Sequence, residues 1–194
     1  KRGIVYVATK TAEPDFYGGR RHGENLFANC VLALDAATGK RIWHFQIVHH
    51  DLLDKDLPCP PILLTVTHKG KKIDAVAQGT KHGLLFVFNR VTGEPLWPIE
   101  ERQVPTDTDI EGEVPWPTQP FPTKPSPFDY QGVTIEDLVD FSPEIRDLAV
   151  QAVEPFRIGP LYTPHSQRGT VVRPGFSAGS WSGAAVDPET GVIY

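Results

Sequence analysis

A short turn motif that recurs along the chain constrains the fold more than any other feature of the sequence. The motif has Asp or Asn three residues before Thr-Gly, and it occurs at residues 35–39 and 89–93, with a looser copy at 187–191. In the first two copies a tryptophan follows, Trp43 or Trp97, and both features repeat after 54 residues. Asp or Asn opens such a turn by hydrogen bonding to the following backbone, and Gly accepts a positive φ. Each copy therefore predicts a β-hairpin.

Antiparallel hairpins that recur in register are typical of β-propeller blades, because one blade cannot cover both of its apolar faces and has to stack on its neighbours. The sequence predicts an all-β fold in which residues 1–194 form one partial propeller domain. Blade-type repeats are expected around residues 28–48, 74–97 and 169–194. About two to three blades fit this length, and strand patterns stand at both ends of the chain, so we expect a fragment of the ring.

Residues 98–168 interrupt the repeats and are predicted to form an insert. Its first part is rich in proline, which lacks a backbone donor and is excluded from central strands, so we expect an extended surface excursion. Its second part carries helix start signals, a capping box at 134–137 and an N-cap pair at Ser142-Pro143. The apolar face that follows is expected to pack on the propeller: Ile145, Leu148, Ala149 and Ala152.

The segment after the first motif changes from a strand into a charged loop. Residues 43–48 alternate in polarity with a period of two, which predicts a half-buried strand. Two histidines and three carboxylates then follow within eight residues: His49, His50, Asp51, Asp54 and Asp56. A strand end can aim such groups for catalysis, and the competing interpretation is an ordinary solvated loop.

Composition excludes several other classes of protein. The net charge is -5 and no basic run occurs, which argues against a nucleic-acid surface. No apolar run approaches the roughly 18 residues that a membrane helix needs. Cys30 and Cys59 form no metal-binding pattern; Cys30 lies in an apolar strand and is predicted to be a core residue, and a disulfide between the two remains open.

Together, the repeat and the charged loop resemble the quinoprotein dehydrogenases, especially the membrane-bound glucose dehydrogenase branch. Members of this family are eight-bladed propellers that use pyrroloquinoline quinone (PQQ) and usually a calcium ion to oxidise sugars or alcohols. The most specific part of the resemblance is Val48-His49-His50-Asp51-Leu52-Leu53-Asp54 with Asp56-Leu57-Pro58. Further matching segments span nearly the whole chain: residues 14–19, 33–40, 117–121, 162–164, 169–170 and 181–183.

The resemblance implies roles for individual residues. Asp54 matches the family's catalytic base, which accepts the proton of the substrate hydroxyl. Lys81, which follows 27 residues later, matches a lysine beside the quinone, where an ammonium group would stabilise the charge that develops on reduction. Trp181 matches a tryptophan of the cofactor pocket, and its neighbour Ser180 stands where relatives often have Asn. Packing between blades is the alternative role for Trp181.

The resemblance also implies a calcium site, and here the sequence departs from its relatives. Thr11 and Glu13 could supply the oxygen ligands that calcium prefers, whereas Lys10 would repel a cation if it pointed inward. His49 and His50 are expected to orient the charged loop with Asp51, by hydrogen bonding to Asp51 or Asp54, rather than to bind metal.

The function implied is oxidation of a sugar or polyol by a PQQ enzyme, with a quinone or another electron acceptor. A periplasmic location and possible membrane association of the parent protein follow from the resemblance only. The chain by itself is expected to be inactive, because a partial ring leaves the central pocket open. The alternative is a non-catalytic propeller scaffold that has lost the cofactor. A hydrolase is disfavoured, since no Ser or Cys nucleophile motif accompanies the cluster.

Overall fold

A computed structural model describes residues 2–175 and 178–194, and its strands form three small antiparallel sheets. The first sheet has the order β1-β2-β3, with strands β1 (Ile4–Ala8), β2 (Cys30–Asp35) and β3 (Arg41–Gln46). The second has the order β4-β5-β6, with strands β4 (Ile62–His68), β5 (Lys71–Gly79) and β6 (Leu85–Asn89). The third pairs β7 (Ile99–Gln103) with β8 (Thr118–Pro122).

The three copies of the turn motif share the hydrogen bonding that the sequence predicts. The Asp35 carboxylate accepts the backbone N–H groups of Ala37 at 3.1 Å and Thr38 at 2.8 Å. Asn89 and Asp187 accept backbone N–H groups of their own turns in the same way. The glycines of the three copies have φ values of 70°, 78° and 74°, where a side chain would be strained. These hydrogen bonds and φ values confirm the turn prediction. The turns could be predicted because the residues that form them are neighbours in the sequence.

The second sheet buries both of its faces. One face packs against the first sheet in a core formed by residues that include Val31, Trp43, Val76, Phe86 and Phe88. The other face forms a second core with residues on both sides of the third turn motif: Leu64, Ala75, Ala77, Val87 and Leu96, with Val186 and Ile193 against them. Successive side chains of a strand point to opposite faces, so β5 and β6 supply both cores. This is the layered arrangement of stacked blades.

Trp43 joins the first repeat to the second. Its side chain is buried, its ring centroid lies 5.8 Å from that of Phe88, and its indole N–H donates to the carbonyl oxygen of Arg90 at 3.3 Å. The ring also lies against Gly93, where a Cβ atom would approach Trp43 to 2.7 Å. The tryptophan of one motif therefore packs on the turn of the next, as expected for a residue between neighbouring sheets.

The insert penetrates further into the core than the sequence indicates. β8 contains Pro120 and Pro122, which is tolerated because β8 pairs only with β7. Gln119, Leu161 and Tyr162 are all buried, and the last two belong to the core between the first two sheets. The expectation of an excursion confined to the surface is therefore wrong for these residues. Their burial comes from contacts remote in the sequence.

The helical part of the insert begins where predicted but does not pack as predicted. A 3-10 helix spans Ile135–Asp137 with the capping box, and helix α1 spans Pro143–Val153, where the Ser142 hydroxyl accepts the N–H of Ile145. No residue of α1 is buried, and Leu148 is 65% exposed. The prediction that its apolar face packs on the propeller is therefore wrong for this chain.

Two further questions left by the sequence are answered by the fold. Cys30 and Cys59 are both buried free thiols, so the chain has no disulfide between them. Burial raises the pKa of the Cys30 thiol to about 12, which suits an inert core residue. Within residues 2–175 and 178–194, no helix has the length and apolar character needed to cross a bilayer.

Gly39 and Gly93 offer a matched test of the contact between repeats. Both occupy the same turn position with similar φ, but a Cβ atom at Gly39 meets nothing within 4 Å, whereas one at Gly93 meets Trp43 at 2.7 Å. We expect Gly39→Ala to cost about 1 kcal/mol through backbone strain. Gly93→Ala should cost about 1–3 kcal/mol more, because it also displaces the Trp43 ring. Chemical denaturation of the two variants measures the difference, and equal losses would contradict the proposed packing role.

Candidate functional site

Two carboxylates of the charged loop meet one lysine from the next sheet. The Nζ atom of Lys81 lies 3.0 Å from Oδ2 of Asp54 and 3.0 Å from Oδ2 of Asp56. The loop follows β3 in the first sheet, and Lys81 lies in the turn between β5 and β6 in the second. The exposed fractions of the three side chains are only 6% for Lys81, 19% for Asp54 and 15% for Asp56. The candidate site is therefore an ionic cluster at the junction of two neighbouring sheets.

Asp51 folds the loop that delivers these carboxylates. Its Oδ1 atom accepts the N–H of Leu53 at 2.9 Å, and its Oδ2 atom accepts the N–H of Lys55 at 2.6 Å. The Asn29 amide and the Thr11 hydroxyl also donate to this carboxylate. Because one buried carboxylate receives donors from three segments, the loop is held in a tight turn. The turn places Asp54 at φ 52°, a left-handed conformation that Asp tolerates better than most residues.

The turn that carries Lys81 is closed by its own side chains and backbone. The Thr80 hydroxyl donates to the carbonyl oxygen of Leu84 at 2.8 Å and accepts the N–H of Leu84 at 3.0 Å. Gly83 lies between them at φ 76°, which suits a residue without a Cβ atom. The ammonium of Lys81 is therefore attached to a rigid turn.

The two histidines do not hydrogen bond to Asp51 or Asp54, and this part of the prediction is wrong. The ring nitrogens of His49 lie 2.9 Å from Gln46 Oε1 and 3.2 Å from Glu101 Oε1. Those of His50 lie 2.8 Å from the carbonyl oxygen of Gly23 and 3.1 Å from Glu113 Oε1. The His49 ring thus contacts β3 and β7, and the His50 ring contacts the early loop at Gly23 and the insert at Glu113. They anchor the start of the loop to those segments.

The environments of Asp54 and Asp56 drive their pKa values in opposite directions. Burial, together with the negative charge of Asp56, raises the pKa of Asp54 despite the opposing effect of Lys81. Burial also acts to raise the pKa of Asp56, but the backbone N–H of Thr11 and the ammonium of Lys81 outweigh it and hold the pKa below the usual value. Carboxylate pairs separated in this way commonly divide proton transfer from charge stabilisation. Asp54 is the member of the pair suited to accept a proton.

Lys81 retains the capacity to bind an oxygen-rich ligand. An ammonium group has three donors, and within residues 2–175 and 178–194 only Asp54 and Asp56 accept from it. Burial would lower the pKa of Lys81, but the two carboxylates raise it above the ordinary value, so the group is cationic at neutral pH. A cation with one unused donor fits the carbonyl and carboxylate oxygens of PQQ. The donor set present is therefore compatible with that cofactor.

The two residues before Ser180 and Trp181 are hydrogen bonded to the turn that carries Lys81. The N–H of Ala178 donates to the carbonyl oxygen of Lys81 and that of Gly179 to the carbonyl oxygen of Thr80, both at 3.1 Å. The Trp181 side chain is 75% exposed, so it packs into neither of the two cores. Its placement beside a cofactor stays a prediction.

The residues expected to bind calcium have other partners. The Thr11 hydroxyl donates to Asp51, and Glu13 forms an exposed ion pair with Lys10. Lys10 therefore points outward, which removes the repulsion anticipated from the sequence. No group of three or more His, Cys, Asp or Glu side chains suited to a metal ion occurs in the described parts of the chain. The described side chains thus do not by themselves form a calcium site at Thr11 and Glu13.

Sequence reasoning assigned no individual role to several residues that build the site. Asp56 shares Lys81 with Asp54, and its position two residues later in the same motif was the available signal. Lys55 is fully buried although its neighbours are charged, and nothing local indicates this. Glu113 is buried against His50 from a position 63 residues away in the insert. The last two are determined by tertiary contacts alone.

Comparison with known proteins places this geometry in a family. The family model described as "PQQ: Glucose/ethanol/alcohol dehydrogenase, beta-propeller domain" matches residues 1–194. The chain belongs to this family. Family membership confirms the resemblance drawn from the charged loop and the repeats.

Curated relatives agree with the family assignment. The chain is 36% identical over 198 residues to a quinoprotein glucose dehydrogenase of Escherichia coli (strain K12), covering 97% of this chain and 24% of the relative. It is 36% identical over 201 residues to a quinoprotein glucose dehydrogenase of Gluconobacter oxydans (strain 621H), covering 98% of this chain and 24% of the relative. A glycerol dehydrogenase large subunit of Gluconobacter thailandicus is 31% identical over 200 residues, covering 100% and 27%. The chain thus spans about a quarter of the length of these relatives.

Solved structures of the family share the fold. A quinohemoprotein alcohol dehydrogenase, ADHIIG from Pseudomonas putida HK5, superposes with a TM-score of 0.60 at 20% identity, covering 98% of this chain and 23% of that one. A europium-containing methanol dehydrogenase superposes with a TM-score of 0.59 at 21% identity, covering 98% of this chain and 27% of that one. The small sheets are therefore a fragment of a PQQ-dehydrogenase propeller, and the predicted fold class is confirmed.

Removal of the Lys81 ammonium should destabilise the folded protein in a pH-dependent way. In Lys81→Met two partly buried carboxylates lose their shared cation, so we expect the free energy of unfolding to fall by about 1–3 kcal/mol at pH 7. The pKa values of Asp54 and Asp56 then rise in the folded state. A carboxyl group with a raised folded pKa destabilises above that pKa, and the penalty disappears as the pH falls toward its unfolded value.

Denaturation of the parent protein and of the Lys81→Met variant at pH 7 and pH 5 measures this dependence. The difference between the two proteins should shrink at the lower pH. Lys72→Met, at an exposed position of β5, serves as the matched control, and its stability relative to the parent protein should be the same at pH 7 and pH 5. A Lys81→Met penalty that is independent of pH would contradict the ionic cluster.

Proposed function

We propose that the parent protein is a PQQ-dependent dehydrogenase that oxidises a sugar or polyol, with Asp54 as the general base and Lys81 as a contact to the quinone. The observation that carries the proposal is the cluster of Asp54, Asp56 and Lys81, in which the pKa of Asp54 is raised and that of Asp56 is lowered. Family membership supplies the cofactor class.

Hydrogen bonding favours Asp54 over Asp56 as the base. Asp56 is committed through both oxygens, since Oδ1 accepts the N–H of Thr11 at 2.7 Å and Oδ2 accepts Lys81. Lys81 is the one donor to Asp54 in the described parts of the chain. Asp54 is also the more exposed of the two carboxylates. A substrate hydroxyl can therefore donate its proton to Asp54 without displacing a backbone contact.

The charge of the cluster assists this proton transfer. With both carboxylates ionised and Lys81 protonated, the three groups carry one net negative charge. A proton taken by Asp54 leaves a neutral cluster, which partial burial favours. PQQ, when bound, would supply the acceptor for the hydride, with its two electrons, that leaves the alcohol carbon. The Lys81 ammonium would stabilise negative charge on an adjacent oxygen at a position that the turn fixes in advance.

Sugar or polyol substrates are favoured by the curated relatives, which are glucose dehydrogenases and glycerol dehydrogenase large subunits. A relative from Acinetobacter baylyi is a quinate/shikimate dehydrogenase (quinone), which supports a quinone as electron acceptor. Calcium binding, a periplasmic location and membrane association of the parent protein belong to the proposal and rest on family membership alone.

The Asp54→Asn variant of the full-length protein tests the assignment of the base. The amide retains an oxygen that can accept from Lys81 but cannot take up the proton, so we expect turnover to fall about 10²- to 10⁴-fold. The variant should still bind PQQ, and an optical titration in the presence of calcium measures this binding. Asp35→Asn is the matched control, because Asn89 occupies the equivalent turn position in the second repeat.

Two results would overturn parts of the proposal. Unchanged turnover of Asp54→Asn on glucose or glycerol would remove Asp54 from the chemistry. Failure of the folded parent protein to bind PQQ at all would favour a non-catalytic propeller scaffold.

A further inference from the structure

Lys55 is a buried cation adjacent to the proposed base. Its side chain is completely inaccessible to solvent, although it lies between Asp54 and Asp56 in the sequence. The Nζ atom donates to the backbone carbonyl oxygens of Pro174, at 2.8 Å, and Gly175. No carboxylate in the described parts of the chain forms an ion pair with it. Its hydrogen-bonding partners are thus main-chain carbonyl groups from 119 and 120 positions away.

The backbone of Lys55 is held as firmly as its side chain. Its N–H donates to Oδ2 of Asp51 at 2.6 Å, and its carbonyl oxygen accepts the side-chain amide of Asn29 at 3.1 Å. Asp54 and Asp56 on either side both reach Lys81, whereas Lys55 reaches the segment at 174–175. The loop therefore contacts two different parts of the chain through alternate side chains.

Burial of an ammonium group without a carboxylate partner is costly. Desolvation lowers the pKa of Lys55 to about 8, against the opposing attraction of Asp51. The carbonyl groups of Pro174 and Gly175 offset part of this cost by hydrogen bonding. An apolar side chain of the same length would avoid the desolvation of an ammonium group but would leave the carbonyl oxygens of Pro174 and Gly175 without this donor. The lysine therefore serves to make these two hydrogen bonds and does not merely fill space.

The partner segment also touches the turn that carries Lys81. A few residues after the carbonyl groups that Lys55 binds, Ala178 and Gly179 donate their N–H groups to Lys81 and Thr80. A Cβ atom on Gly179 would lie 3.1 Å from the Thr80 carbonyl oxygen, so the two backbones are in close contact. Residues 174–175 are thus hydrogen bonded to the charged loop, and residues 178–179 to the turn that carries Lys81.

We propose that Lys55 is a positioning residue, whose buried ammonium fastens the 174–175 carbonyl groups to the charged loop and thereby aligns Asp54, Lys81 and the segment that leads to Ser180 and Trp181. This role rests on the proposed function only for its effect on turnover. The fastening itself is a property of the fold and can be measured without cofactor.

Hydrogen exchange of the full-length apoprotein tests the fastening. In Lys55→Met the side chain keeps its length and loses only the ammonium donors. We expect the amides of Ala178 and Gly179, followed in a peptide that begins several residues before residue 178, to exchange at least about tenfold faster. The Asp35–Gly39 turn should be unaffected. Lys72→Met, which removes an exposed ammonium from β5, is the matched control and should change neither region.

Steady-state kinetics tests the positioning. Misplacement of the base by about 1 Å costs up to about 10²-fold in turnover, so kcat of Lys55→Met should fall by about ten- to a hundredfold. KM for the sugar should change less than about threefold, because Lys55 has no access to solvent or substrate. Loss of folding alone would lower the amount of PQQ-binding protein and would leave kcat per bound PQQ unchanged, which would overturn the proposal.

A second variant acts on the same segment from its other end. Gly179→Ala places a Cβ atom 3.1 Å from the Thr80 carbonyl oxygen while Lys55 is intact, so one of the two backbones has to shift by a few tenths of an ångström. We expect this shift to reproduce, in part, both the faster exchange at residue 178 and the loss of kcat. It keeps the proposal testable if Lys55→Met fails to fold. Normal exchange and normal kcat in Gly179→Ala would then overturn it. If the variants exchange faster but the parent protein lacks dehydrogenase activity, the fastening is upheld and the proposed function is rejected instead.

Discussion

The packing of the first sheet on the second is the contact on which the site depends. The ring centroid of Phe45 in β3 lies 5.0 Å from that of Phe88 and 6.1 Å from that of Phe86, both in β6. This contact brings the loop that leaves β3 beside the turn that enters β6, because both begin at the same end of their sheets. Asp54 and Lys81 come from different sheets, so neither sheet can form the ionic cluster alone. The apolar core thus determines the distance between the charged groups.

Polar anchors then fix the loop against that core. Asp51 gathers donors from its own loop and from the early segments, and Lys55 reaches across to residues 174–175. His50 and Glu113, both buried, tie the start of the loop to the insert, and the other oxygen of Glu113 accepts the N–H of Gly18 at 2.6 Å. A loop with this many buried polar groups is stable only when every group is satisfied. The insert therefore supports the loop although it lies outside the repeats.

Local features of the structure could be predicted from the sequence, and contacts between distant segments could not. The three turns and the starts of the helices follow from side chains within a few residues, and they form as predicted. Wrong expectations concern side chains whose partners are remote, as for His50 with Glu113 and for the exposed face of α1. The pairing of Asp54 with Lys81 was accessible only through family resemblance, because a separation of 27 residues fixes no distance by itself.

The same distinction explains why a buried lysine can lie among carboxylates without an ion pair. Three charged side chains in succession, Asp54, Lys55 and Asp56, resemble a solvated loop when read by composition. In the fold they diverge, since the outer two meet Lys81 and the central one meets backbone carbonyl groups. Had Lys55 turned toward the carboxylates, it would have neutralised the charge that raises the proton affinity of Asp54. Its attachment to neutral carbonyl groups holds the loop in place and leaves Lys81 as the cation that forms ion pairs with Asp54 and Asp56.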